Sequence, residues 1–96
     1  MFDRRRRLDW TRAAERNLAD IEAYYLTKAS ERISDAAVDA IYYQVEKIHA
    51  RPLLYRKGSV PGLHESVMRR FPFIIIYRVR PTVIQVLRIL HQRQAR

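Results

Sequence analysis

The sequence contains no cysteine and no long apolar segment, and both absences restrict what the protein can be. Without cysteine, disulfide bonds, thiolate chemistry and cysteine-based zinc sites are excluded. The longest apolar run, residues 71–77, is seven positions long and includes a proline, whereas a membrane-spanning helix needs about twenty. Residues 1–7 have the positive charge of a secretion signal, but Leu8-Asp9-Trp10-Thr11 stands where its apolar core would follow. We therefore expect a soluble, cytoplasmic protein.

Acidic residues are almost absent from the second half of the chain. Residues 1–48 hold nine basic and nine acidic side chains, whereas residues 49–96 hold ten basic side chains and the single acid Glu65. The net charge of +9 therefore comes entirely from the second half. Charge concentrated in this way favours a polyanionic target or an acidic protein partner. A basic surface that merely keeps the protein soluble is the simpler alternative.

A chain of 96 residues has material for one core, so we predict a single domain over residues 1–96. Within it, residues 1–10 should form a basic arm and a first strand, because arginines suit an exposed sheet edge, where charge discourages unwanted pairing. Residues 11–51 should form a helical hairpin. Residues 63–91 should form three antiparallel strands.

The hairpin prediction depends on periodicity and on caps. Apolar residues recur every three or four positions in both halves of residues 11–51, which is typical of two amphipathic helices. Thr11 and Ser30 are suitable N-caps, and Pro52 limits how far the second helix can continue. The link between the two helices is short, which favours antiparallel neighbours.

The strand prediction depends on composition. Residues 63–70 alternate in character, whereas residues 73–80 and 83–91 are β-branched or aromatic on both faces and are separated by the turn Pro81-Thr82. Runs that are apolar on both faces indicate central strands. Residues 52–61 should be a loop. The order β-α-α-β-β-β predicts an α+β fold with the helices on one side of the sheet.

Three stretches of the second half form an ordered signature. They are Pro61-Gly62-Leu63-His64-Glu65-Ser66-Val67, Arg70-Phe71-Pro72-Phe73-Ile74-Ile75-Ile76-Tyr77-Arg78-Val79 and Val86-Leu87-Arg88-Ile89-Leu90-His91-Gln92-Arg93. With a looser match in the first half, this signature resembles the RelE/ParE toxin superfamily, specifically its ParE-like branch, over about residues 8–94. The resemblance implies a twisted antiparallel sheet packed on a helical hairpin and the role of toxin in a type II toxin–antitoxin system.

The resemblance also implies partners and a mode of growth arrest. A cognate antitoxin, ParD-like or similar, would wrap the toxin with its C-terminal segment and bind operator DNA with its N-terminal part, giving a hetero-oligomer. Characterised ParE-like proteins poison DNA gyrase, whereas RelE-like relatives cut mRNA at the ribosome. We predict gyrase poisoning by a toxin that is not itself an enzyme. The alternatives are a ribosome-dependent mRNA interferase and, outside the toxins, a basic nucleic-acid-binding module.

The sequence offers a nuclease few acid–base groups, and we expect neither a cofactor nor a metal. The three histidines, at positions 49, 64 and 91, lack metal-ligand spacing. Cleavage of RNA needs a base, a cation beside the phosphate and an acid. Glu65 is more typical of a structural ion pair, and His91 of an interface residue at a strand end. The candidates for a nuclease site are His91, Arg78, Arg88 and Glu65.

Arg78 and Arg88 each interrupt an otherwise apolar strand. Burying an unpaired guanidinium is costly, so both should reach an open face or a sheet end and meet a phosphate or a carboxylate. Pairing with Glu65 or with an acid on a helix is the alternative. The predicted target-binding residues are Arg69, Arg78, Arg88, His91 and Arg93. The predicted antitoxin-binding residues are Tyr24, Tyr25, Tyr42 and Arg78.

Overall fold

The computed structural model describes residues 5–95. Its elements in chain order are β1 (Arg7–Trp10), α1 (Arg12–Lys28), α2 (Glu31–Ala50), β2 (Arg56–Lys57), β3 (Leu63–Val67), β4 (Phe73–Val79), β5 (Val83–His91) and a short 3-10 helix (Gln92–Ala95). The α+β fold is confirmed. Of the residues 1–10 predicted as a basic arm and first strand, residues 1–4 lie outside the described part of the chain.

The two helices begin where the predicted caps stand. The Thr11 hydroxyl accepts a hydrogen bond from the Ala14 amide at 3.0 Å, and the Ser30 hydroxyl accepts one from the Ile33 amide at 3.1 Å. Each cap satisfies an amide that the first helical turn leaves without a backbone partner. The predicted helical hairpin is confirmed, with α1 over Arg12–Lys28 and α2 over Glu31–Ala50, which ends two residues before Pro52.

The five strands lie in the order β1-β5-β4-β3-β2. All pairings are antiparallel, as predicted, except that of β1 with β5, which is parallel. The prediction that residues 52–61 are a loop is wrong at Arg56 and Lys57, which form β2 and pair with Glu65 and His64. A strand of two residues has no alternation that a sequence could display, which is why composition did not reveal it.

The apolar core lies between the sheet and the helical hairpin. Alternate residues of β4 face the helices, among them Ile75 and Tyr77, which have no exposed surface. Ala14 and Ala37 are also fully buried, and their small side chains let the helices approach closely. The other members of this core are Ile21, Ile41, Val45, Ile48, Met68, Phe71, Phe73, Ile84, Val86 and Ile89.

A β-bulge in β5 changes which face its later residues occupy. Tyr77 pairs with Val86 and Ile76 pairs with Arg88, so Leu87 is an extra residue between them. Simple alternation from Val86 would place Arg88 on the helix side of the sheet. The bulge instead turns Arg88 to the opposite face and brings Ile89 into the core.

The start of α1 completes the outer edge of β5 beyond the point where β1 ends. The Thr11 hydroxyl donates to the Leu87 carbonyl at 2.8 Å, and the Asn17 side-chain oxygen accepts from the Ile89 amide at 2.9 Å. These side chains take the place of a neighbouring strand, which keeps backbone groups at the bulge paired. The bulge is therefore held by α1.

Candidate functional site

The face of the sheet opposite the helices includes two adjacent transverse rows that contain charged side chains. Paired residues on neighbouring strands project to the same side, so the register defines each row. The first row, from β2 to β5, is Arg56, Glu65, Ile76 and Arg88. The second row, from β3 to β1, is Leu63, Arg78, Gln85 and Asp9. We call this surface, defined by Arg56, Arg78 and Arg88, the arginine face.

Arg78 and Arg88 occupy adjacent rows on the two central strands, where diagonal neighbours are about 7–8 Å apart. Arg78 is half-buried and Arg88 is exposed. Within residues 5–95, neither guanidinium has a carboxylate at salt-bridge distance. Arg88 Nε donates instead to the neutral Asn17 side-chain oxygen at 3.3 Å. Both cations are therefore available to an external anion.

Glu65 is already neutralised within the molecule. Arg56 Nη2 and Nε lie 2.8 and 3.0 Å from the same carboxylate oxygen, and the Glu65 side chain is 16% exposed. A Cβ at Gly58 would stand 3.4 Å from Glu65 Cγ and Oε2, so Gly58 lies next to this carboxylate. The structure thus shows the structural ion pair expected for Glu65, although with Arg56 rather than with Arg78 or Arg88.

His91 projects to the other side of the sheet, at its end. It pairs in register with Phe73, and the two rings meet edge to face with centroids 5.9 Å apart. The Arg93 amide donates to His91 Nδ1 at 3.1 Å. The side chain also lines a cavity of about 440 Å³ together with Asp20, Ile21, Tyr24, Tyr25, Pro72 and Phe73. The structure therefore does not bring His91 together with Arg78, Arg88 and Glu65, the other nuclease candidates.

The predicted target-binding residues also fall on more than one surface. Arg78 and Arg88 share the arginine face, and Arg93 is exposed beyond the end of β5. Arg69 lies on the turn between β3 and β4 and lines a groove next to α2. Sequence reasoning missed Arg56 as a member of the arginine face, because its position depends on the two-residue strand β2.

The predicted antitoxin-binding tyrosines are separated as well. Tyr42 packs against Trp10, with ring centroids 5.6 Å apart, in a cleft between the outer sides of the helices. Tyr24 and Tyr25 lie near the end of α1, where the Tyr25 ring is 5.8 Å from that of Phe71. Burial, with a smaller contribution from Tyr24, raises the pKa of Tyr25, so its hydroxyl stays protonated. Arg78 lies on the arginine face, so the four predicted residues do not form one surface.

A histidine near the arginine face has a structural role. The His64 ring stacks on Tyr77 with centroids 5.4 Å apart, and its Nδ1 is buried without a hydrogen-bond partner among the described residues. Residues 5–95 contain no cluster of three or more histidine or acidic side chains arranged to hold a metal. Within the same range, no helix is long and apolar enough to span a bilayer.

Comparisons with known proteins agree on one group of relatives. The family described as "ParE toxin of type II toxin-antitoxin system, parDE" matches residues 8–96. A Sinorhizobium fredii protein named "Putative toxin Y4kP" is 31% identical over 90 residues, which cover 94% of this chain and 92% of that protein. A solved chain of the "Chromosomal ParDE TA system from P. aeruginosa" superposes with a TM-score of 0.84 at 31% identity, covering 93% of this chain and 98% of that one.

Proposed function

Because the chain belongs to the ParE toxin family of type II toxin–antitoxin systems, we propose that it arrests growth by poisoning DNA gyrase and that a cognate antitoxin neutralises it. The toxin acts by binding and is not itself an enzyme. Gyrase and the antitoxin are both cytoplasmic partners, so the proposed site of action is the cytoplasm. The antitoxin and the toxin form a hetero-oligomer in which the toxin is inactive.

The arginine face is the observation that supports this proposal. Arg78 and Arg88 stand on the two central strands without a carboxylate partner in the described part of the chain. A guanidinium presents a planar fork of donors that matches phosphate and carboxylate groups. A gyrase–DNA complex offers both kinds of anion. The rigid sheet beneath holds the two cations at a fixed spacing, which favours binding to one defined surface.

The alternative, cleavage of mRNA on the ribosome, is disfavoured by the positions of the acid–base groups. General acid–base catalysis requires the groups to be within hydrogen-bond reach of the reacting atoms, directly or through one water. Glu65 is held by Arg56, and His91 projects to the helix side at the end of the sheet. The arginine face itself therefore offers cations without a free acid–base pair.

Expression of the protein without its antitoxin tests the proposal directly. We expect growth to stop and double-strand DNA breaks to accumulate, because a gyrase poison traps the enzyme with cleaved DNA. Pulsed-field gel analysis of the chromosome measures the breaks, and primer extension on abundant transcripts measures mRNA cleavage. If transcripts are cut within translated frames and the chromosome stays intact, the target is the ribosome and not gyrase. A culture that keeps growing would contradict both forms of toxicity.

Replacing His91 by Ala distinguishes gyrase poisoning from mRNA cleavage with a single substitution. We expect growth arrest and DNA breakage to persist within about tenfold of the unmodified toxin, because His91 pairs with Phe73 at the end of the sheet, outside the two rows that contain Arg78 and Arg88. Titration of the inducer until growth stops measures the remaining potency, and circular dichroism checks the fold. Complete loss of activity in a folded His91→Ala protein, together with loss of RNA cleavage, would identify His91 as a catalytic residue.

A further inference from the structure

A cavity on the helix side of the sheet has no part in the proposed function. It lies where the second half of α1 meets the start of β4 and the end of β5, and its volume is about 440 Å³. Cavities of about 300–1,000 Å³ are typical of sites for small molecules. We call it the α1 cavity. Its lining residues are Asp20, Ile21, Tyr24, Tyr25, Pro72, Phe73 and His91.

The rings that line the α1 cavity stand at steep angles to one another. The Tyr24 and Tyr25 rings meet at 80°, with centroids 5.3 Å apart. The Phe73 ring meets that of Tyr25 at 88° and that of His91 at 84°, with centroids 6.3 and 5.9 Å apart. Nearly perpendicular rings surround a ligand from more than one direction, which a flat stack cannot do. This is the arrangement of the aromatic cages that hold alkylated ammonium groups.

The charge of the α1 cavity is opposite to that of the protein. The net charge of the chain is +9, yet the cavity is lined by the carboxylate of Asp20 and by no lysine or arginine of the described residues. Asp20 makes no salt bridge within residues 5–95. The Arg93 amide donates to His91 Nδ1, so that nitrogen carries no proton and the imidazole is neutral. A cation is therefore the complementary ligand.

The aromatic rings of the α1 cavity are available to such a ligand. The Arg70 guanidinium lies 5.3 Å from the centre of the Phe71 ring, which shows how a cation of the protein itself can occupy an aromatic face. Among residues 5–95, no lysine or arginine lies over Tyr24, Tyr25 or Phe73 in this way. Tyr24 is 58% exposed, so a dissolved molecule can reach its ring.

The lining also selects among cations. A primary ammonium is strongly hydrated and needs several hydrogen-bond acceptors when it leaves water. The α1 cavity offers it one carboxylate, whereas Ile21, Pro72 and Phe73 are apolar. An ammonium whose hydrogens are replaced by methyl groups needs no acceptor and presents apolar surface to the rings. We infer that the α1 cavity binds a small quaternary ammonium compound, with Asp20 balancing its charge and the rings surrounding its methyl groups.

This ligand site is separate from the surface of the proposed function. The arginine face lies on the side of the sheet away from the helices, whereas the α1 cavity lies between α1 and the sheet end. Tyr24 and Tyr25, which the sequence predicts as antitoxin-binding residues, thereby gain a role as walls of a small-molecule site. The inference does not depend on the identity of the toxin's target.

Titration of the purified protein with choline tests the inference. Choline chloride replaces an equal amount of sodium chloride, so that the ionic strength stays constant, and amide-correlation NMR spectra locate the site. We expect saturable shifts at the amides of residues 20–25, 73 and 91, with a Kd of about 1 mM. The neutral carbon isostere of choline, 3,3-dimethylbutan-1-ol, has the same shape without the charge and should bind at least about tenfold more weakly.

Two substitutions and two matched controls assign the binding to the α1 cavity. Asp20→Asn should weaken choline binding at least about fivefold, and Tyr24→Leu about threefold to tenfold, because they remove the balancing charge and an electron-rich ring. Both positions are exposed, so the risk to folding is small. Asp39→Asn and Tyr43→Leu make the same changes at exposed positions of α2 and should leave binding within about twofold.

Three results would overturn the inference. They are the absence of a saturable response at the cavity amides, equal binding of the neutral isostere, and equal weakening by Asp20→Asn and Asp39→Asn. The first of these would leave the proposed function standing, because the titration contains no gyrase, DNA or antitoxin.

A sedimentation assay distinguishes the two sources of the same head group, a dissolved molecule and the lipid phosphatidylcholine. With phosphatidylcholine vesicles we expect the protein to remain in the supernatant, because the inferred ligand is a dissolved one. Co-sedimentation with the vesicles, without a response to dissolved choline, would contradict the assignment to a small dissolved ligand.

Discussion

Replacing Arg78 and Arg88 together by glutamate is expected to abolish growth arrest. Both guanidiniums face outward from the central strands with no carboxylate partner among residues 5–95, so their charge is available to the target. Loss of a hydrogen-bonded charge at an interface costs about 2–5 kcal/mol, and the reversed charge adds repulsion. Two such losses should weaken target binding by about a thousandfold or more. Growth after induction, with and without the substitutions, measures the effect.

Two matched variants make this result specific to the arginine face. Arg12→Glu with Arg16→Glu makes the same change of charge on exposed positions of α1 and should leave growth arrest intact. Arg78→Lys with Arg88→Lys keeps the charge but removes the planar fork, so an intermediate loss is expected if the contacts are bidentate. Thermal unfolding of the purified proteins shows whether each variant is folded. Continued arrest by the folded double glutamate variant would contradict the proposed target surface.

The second large effect concerns stability. Tyr77→Ala should lower the free energy of unfolding by about 3–5 kcal/mol, because it empties a fully buried aromatic position in the central strand β4. Domains of ordinary stability unfold at a cost of only about 5–15 kcal/mol. The variant should therefore be largely unfolded on its own or close to that limit. Urea denaturation followed by circular dichroism measures the change.

The hydroxyl of Tyr77 contributes a smaller part of the free energy of unfolding, and a separate substitution can measure it. It donates to the Pro52 carbonyl at 2.6 Å and so joins β4 to the segment after α2. Burial, with a further contribution from Tyr55, raises the pKa of Tyr77 far above its ordinary value, which keeps this donor protonated. Tyr77→Phe should cost about 1–3 kcal/mol, because the Pro52 carbonyl loses a buried partner. Equal losses in the Phe and Ala variants would show that the hydrogen bond, rather than the ring, dominates.

The elements that carry a repeating local signal could be predicted from the sequence. The helical hairpin follows from caps at Thr11 and Ser30 and from apolar periodicity, and both caps are present in the structure. The central strands follow from their two-sided apolar composition. Arg78 and Arg88 could be selected because a cation within such a strand needs either a partner or an open face.

Features that depend on non-local pairing could not be predicted. The parallel pairing of β1 with β5 and the two-residue strand β2 are decided by neighbours distant in sequence. The face occupied by Arg88 is decided by one extra residue, Leu87, and alternation alone would place Arg88 under the helices. The sequence of β5 itself does not indicate the bulge. The side chain that accepts the hydrogen bond from the Ile89 amide belongs to Asn17 on α1.

The contact between the first and last strands also has a consequence for how the protein folds during synthesis. Thr11 bonds to Leu87, 76 residues later, and among residues 5–95 the strand β1 pairs only with β5. Such distant contacts form slowly, whereas a helical hairpin needs only local ones. The hairpin can therefore fold while the sheet is still incomplete. The hydrogen bonds at the bulge next to Arg88 need both β5 and α1, so we expect the arginine face to be assembled last on the nascent chain.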